Sequence, residues 1–84
     1  MNRPLLDEFL SEEDDAWIRQ QLLDAIRAPA GAVSREFTFN RFIVRLDFGS
    51  RQVTLEDDLR VGPEGEERLD MDRFESALRR RQGN

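Results

Sequence analysis

The chain has 84 residues, 18 acidic against 13 basic, a net charge of −5, and neither cysteine nor histidine. That length fits one small domain over residues 1–84, and so short a chain buries only about 60% of the surface its unfolded form exposes. Missing thiols exclude a disulfide framework, and with imidazole also missing the usual zinc and blue-copper ligand sets are lost.

Tyrosine and lysine are absent as well, so every basic residue is arginine. A serine nucleophile would therefore lack the histidine or lysine that normally activates it. The expectation is a protein that is not an enzyme and holds no cofactor and no metal. Only an all-oxygen magnesium or calcium site stays chemically open. Complete use of arginine for lysine is the mark of a GC-rich coding sequence, bacterial or phage, and needs no functional cause. No apolar run approaches the roughly 18 residues of a membrane span. The start, Met1-Asn2-Arg3-Pro4, opens no signal-peptide core. The expected location is cytoplasmic.

Charge is blocked along the chain: −4 over residues 1–30, +2 over 31–55, −5 over 56–70 and +2 over 71–84. The first block reads as one N-terminal helix, or two. Pro4 suits a first turn, and Leu5, Leu6, Phe9 and Leu10 form a short apolar stripe. Ser11-Glu12-Glu13-Asp14 resembles a capping box, which starts a helix at Glu12. Ile18, Leu22, Ala25 and Ile26 then fall on one face, widened by Trp17 and Leu23. Pro29 and Gly31 end this helix near Arg27.

Phe42, Val44, Leu46 and Phe48 alternate with Ile43, Arg45 and Asp47, the period of a strand. Gly49-Ser50 suits a two-residue type II′ turn, pairing Phe48 with Arg51, Leu46 with Val53 and Val44 with Leu55. Before Phe42 the apolar phase slips from even to odd, at Phe37 and Phe39. A bulge at Asn40-Arg41 would repair the phase and set Phe39 against Leu59 and Phe37 against Val61. The rival is a tight turn there with a third strand, and arginine is poor at the second position of a type I′ turn. Arg41, Ile43, Arg45, Asp47, Gln52, Thr54, Glu56 and Asp58 would share the opposite face, solvated or against a polar partner.

Gly62-Pro63-Glu64-Gly65 reads as a loop. Leu69 adds a short strand end, and Asp70 is an N-cap for a helix marked by Met71, Phe74, Ala77 and Leu78. Arg79, Arg80 and Arg81 close that helix as its dipole prefers. The expected fold is α+β, with a long bulged antiparallel hairpin, a C-terminal helix, and all helices on one sheet face.

Two acidic runs are the candidate partner-binding residues: Glu12, Glu13, Asp14 and Asp15, and Glu56, Asp57 and Asp58. The first sits where a helix dipole alone would favour acids. Asp57 is the odder one, because it occupies an inward phase that should be apolar. The simplest reading is that it breaks the strand; the alternatives are a second bulge or a pairing with an arginine. A pI near 4.7 argues against direct nucleic-acid binding. A winged helix would further need a third helix, for which residues 28–36 are too few. The functional expectation is a small acidic interaction module, of inhibitor, immunity or adaptor type, that binds a basic surface of a protein partner. The alternative is a self-associating subunit that forms a homodimer through its hairpin edge.

Overall fold

The structure is a computed structural model and describes residues 5–13, 15–60 and 62–82. Helices α1 (Leu5–Glu12) and α2 (Ala16–Arg27) precede four strands, β1 (Ser34–Thr38), β2 (Phe42–Asp47), β3 (Gln52–Asp57) and β4 (Glu66–Asp70). A 3-10 turn, Pro63–Gly65, leads into β4, and helix α3 (Met71–Gln82) follows it. The strands form one antiparallel meander in the order β1-β2-β3-β4. The α+β class and the helical cover on one sheet face agree with the expectation. The sheet has four strands where a hairpin was expected.

The inward phase of the sheet supplies Phe42, Val44, Leu46, Val53, Leu55 and Leu69 to a core shared with Phe9, Leu22, Ile26, Met71, Phe74 and Leu78. Phe9 ties the layers together. Its ring lies 5.6 Å from Phe42, edge to face, 6.0 Å from Phe74 and 6.3 Å from Phe39. One side chain of α1 thus touches β2, α3 and the chain beyond β1, in the offset geometries that aromatic quadrupoles favour.

The bulge at Asn40-Arg41 is corrected to a two-residue turn. Thr38 pairs with Ile43, Phe37 with Val44, and the Phe39 N–H donates to the Phe42 carbonyl at 2.9 Å. A two-residue loop pairs odd with even positions, so the phase slip that suggested a bulge is what such a turn imposes. Neither Asn40 nor Arg41 has positive φ. The turn is thus not type I′, and the objection to arginine there does not apply. Phe39 and Phe37 face Phe42 and Val44 rather than Leu59 and Val61. Leu59 is 75% exposed, in the turn after β3, and Val61 lies outside the described residues.

The β2–β3 register is as expected at Val44–Leu55 and Leu46–Val53. Its ladder closes at Asp47–Gln52, so Phe48 and Arg51 belong to the loop. Positive φ falls on Arg51 (59°) and not on Gly49, so this loop is not a type II′ turn. Asp47 Oδ1 organises it by accepting from the Gly49 and Ser50 N–H groups, at 3.0 and 3.2 Å.

The helix break also moves. α1 runs through Glu12, and α2 takes Asp15 as its N-cap, with Asp15 Oδ1 accepting from the Trp17 N–H at 2.8 Å. A helix start at Glu12 capped by Ser11 is therefore not formed. Trp17 is 66% exposed rather than part of the buried stripe. No described helix is long and apolar enough to cross a membrane.

Candidate interaction surface

Successive strand residues point to opposite faces, so the run Glu56-Asp57-Asp58 is split by the sheet itself. Asp57, opposite Phe42, turns inward and is 1% exposed. Arg41 meets it with both arms of its guanidinium, Nε to Oδ1 at 3.1 Å and Nη2 to Oδ2 at 2.8 Å. The Leu59 N–H donates to Asp57 Oδ1 at 2.9 Å, and Arg60 Nε lies 3.4 Å from Oδ2. The hydrogen bond from Arg41 first, then that N–H and the two positive charges, holds the Asp57 carboxyl below the usual carboxylate range against the opposing effect of burial. The same contact raises Arg41. Of the three roles open to Asp57, pairing with an arginine is the one seen, and β3 ends at this residue.

The ion pairs continue onto α1. Arg60 Nη2 reaches Glu8 Oε1 at 2.8 Å, and Arg41 Nη1 lies 3.5 Å from Glu12 Oε1. Two arginines thus clamp Asp57, Glu8 and Glu12, fastening α1 over the β1–β2 turn and the end of β3. Arg41 faces this cluster, not the solvent side of the sheet where the alternation would put it.

The acidic runs are largely committed to structure. Glu12 is exposed but beside Arg41, and Glu13 is buried, with its Oε2 unpartnered among the described residues. Asp15 caps α2, and Asp14 lies outside the described residues. Asp58 is exposed in a turn, its N–H donating to the Arg41 carbonyl at 2.8 Å. Glu56 is the acid of the second run that faces away from the helices.

That outward face is where acids converge. Its residues follow from the pairing: Ser34, Glu36 and Thr38 on β1; Ile43, Arg45 and Asp47 on β2; Gln52, Thr54 and Glu56 on β3; Glu66, Arg68 and Asp70 on β4. None of the twelve is buried. Five acids stand against Arg45 and Arg68, a net charge of −3 on a face that no helix covers. Arg45 bridges Glu36 at 2.6 Å and Glu56 at 3.7 Å across neighbouring strands. The bond to Glu36 is the main cause that raises Arg45. Glu56 stands directly opposite Glu66, a like-charge pairing that costs stability in a sheet.

Half of this face was legible in the alternation of β2 and β3. The contributions of β1 and β4 were not, because residues before Phe42 were read as a bulged extension of β2 and only a short strand end was expected at Leu69. A signal existed in Glu66, Arg68 and Asp70, which alternate with Leu69. Glu67 obscured it by putting an acid in the inward phase. Its role is local: Glu67 Oε1 accepts from the Leu6 N–H at 2.9 Å, satisfying a donor in the first turn of α1.

Among the described residues, no group of three or more histidine, cysteine, aspartate or glutamate side chains is placed to hold a metal ion. A groove of about 530 Å³ between α1 and α3 is lined by Leu6, Leu10 and Ala77 with Arg73, Arg80 and Arg81. Arg81 Nη2 donates there to the Leu10 carbonyl at 3.0 Å, at the end of α1. Compared with known protein families, curated proteins and solved structures, the chain matches none.

Proposed function

We propose that this protein is a non-enzymatic interaction module that docks the outward face of its sheet onto a basic surface of a protein partner. The observation that carries the reading is the uncovered face of net charge −3, on which Glu56 opposes Glu66. A soluble sheet gains stability from cross-strand pairs of opposite charge. Here Glu56 faces Glu66, and the arginine beside them, Arg45, is shared between Glu56 and Glu36. Such a face attracts cations over about a Debye length, and a partner that presents arginine or lysine would relieve the repulsion while binding. The wider setting is consistent with this. The chain offers no imidazole, thiol, side-chain amine or phenol for catalysis, and the buried Asp57 carboxyl is held below the usual carboxylate range by its hydrogen bond from Arg41, with help from the Leu59 N–H and Arg60.

On this reading the docking surface is the sheet face and not the first acidic run. Asp15 and Glu13 have structural positions, and Glu12 serves the α1 clamp. The test is affinity capture from the native host, with the bound protein identified, using wild-type chain and two variants. Neutralising the sheet face (Glu36→Gln, Glu56→Gln, Glu66→Gln) should lower capture at least about tenfold, the equivalent of about 1.4 kcal/mol. Glu12→Gln should leave it unchanged. Equal capture by the sheet-face variant and wild type would overturn the reading.

A further inference from the structure

β1 is the strand the helices leave bare: Ser34, Arg35, Glu36 and Thr38 are exposed, and Phe37 is half-buried. Two hydrogen bonds set the phase of its ladder, Phe48 N–H to the Val33 carbonyl and Phe39 N–H to the Phe42 carbonyl, both at 2.9 Å. Odd-numbered residues therefore bond to β2, and Ser34, Glu36 and Thr38 turn their backbone N–H and C=O groups to the open edge. Apart from Arg35, the inward phase of this stretch is apolar, and it is only partly covered. Val33 is 76% exposed, Phe37 and Phe39 stack at 6.1 Å, and the Arg35 guanidinium lies 4.8 Å over the Phe37 ring. Between Arg35 and Phe37 of this row and Ala25 of α2, with Ala28 just beyond its end, runs an open groove of about 360 Å³.

We propose that the β1 edge takes a second copy of this chain, β1 antiparallel to β1 about a two-fold axis at Phe37. Charge selects both the edge and the register. β4 has Glu66, Glu67 and Asp70 against Arg68, so two copies of it would repel. β1 has one arginine and one glutamate and is neutral. Hydrogen bonding requires the even residues of one copy to face the even residues of the other, which leaves registers centred on Arg35, Glu36 or Phe37. Centred on Arg35 or on Glu36, the strand sets a charge against its own copy. Centred on Phe37, it sets Phe37 against the second copy's Phe37, Arg35 against its Phe39, and Glu36 against its Thr38. The pairs are then aromatic–aromatic and cation–π, with no like charges opposed. The result is an eight-stranded sheet with all helices on one side. Each copy's outward face stays open, so the inference stands independently of the docking proposal.

Because the chain has no cysteine, one introduced thiol reads the register. At a non-hydrogen-bonded pair the Cα atoms lie about 4.5 Å apart, within disulfide reach. Phe37→Cys should therefore cross-link on mild oxidation, with a yield roughly tenfold above Arg35→Cys or Glu36→Cys, whose copies lie at least two residues out of step. Wild type at about 100 μM should sediment at twice the monomer mass. Thr38→Pro, which removes only an outward N–H, should sediment as a folded monomer. A monomeric wild type, a dimeric Thr38→Pro, or preferential cross-linking at Arg35→Cys or Glu36→Cys would each overturn the proposal.

Discussion

Replacing Asp57 by asparagine isolates the buried carboxylate that Arg41 and Arg60 hold. The side chain keeps its volume and one carbonyl oxygen, so the Leu59 N–H retains an acceptor. The guanidinium of Arg41 loses its bidentate partner and meets an amide N–H₂ on one side. Hydrogen bonds to charged groups contribute about 1.5–3 kcal/mol, and breaking a fully buried pair costs about 3–5 kcal/mol. Arg41 is 23% exposed and lies near Glu8 and Glu12, so water and those acids recover part of the loss. A cost of about 2 kcal/mol follows, against a total stability of roughly 4–13 kcal/mol for a chain of this length. In urea, with a slope of about 1 kcal/mol/M for so small a protein, the unfolding midpoint should fall by about 2 M. A shift below about 0.5 M would refute the clamp as the link between α1 and the sheet. The pH dependence adds a second constraint. The Asp57 carboxyl is held below its ordinary value in the folded state, so its ionised form stabilises the fold above the unfolded value of about 3.9. That stabilisation is lost as pH falls through the lower folded value. The difference between wild type and variant should be full at neutral pH and shrink below about pH 4.

Phe9→Ala should cost about 3–5 kcal/mol, since it empties the junction between α1, β2 and α3; urea melts read this, and a loss under about 1 kcal/mol would contradict the hub role. Asp15→Ala should cost about 1 kcal/mol as a lost N-cap, yet leave partner capture unchanged. Glu66→Gln should raise stability by a few tenths of a kcal/mol by relieving the opposition to Glu56, while it weakens capture. Opposite signs of the two effects would mark a face kept for binding, whereas a loss of stability would show that Glu66 has an unrecognised structural role.

The sequence disclosed some elements and hid others for separable reasons. α3 was legible because Met71, Phe74, Ala77 and Leu78 keep helical spacing and all are buried. The β2–β3 register was legible because both strands alternate cleanly on either side of one short loop. β1 was hidden by its single clear inward aromatic, with Arg35 occupying an inward phase at an uncovered edge. β4 was hidden by Glu67, whose inward acid breaks the alternation in order to cap a helix far away in sequence. The loop at Asn40-Arg41 was misassigned because φ signs are not written in residue type: arginine is poor only where φ must be positive. The spatial grouping of the acids was hidden for a related reason. Runs of acids in sequence do not make a patch when strand alternation divides them, and the acids that do converge come from four separate strands.

Nuclear magnetic resonance titration of the ¹⁵N-labelled chain with a short arginine-rich peptide tests the docking surface most directly. Amide shifts should concentrate on Glu36, Arg45, Glu56, Glu66 and Arg68, weaken with added salt, and vanish when Glu36, Glu56 and Glu66 are changed together to glutamine. Shifts centred instead on Glu12, Glu13 and Asp15, or shifts that survive those substitutions, would contradict the assignment of the outward sheet face.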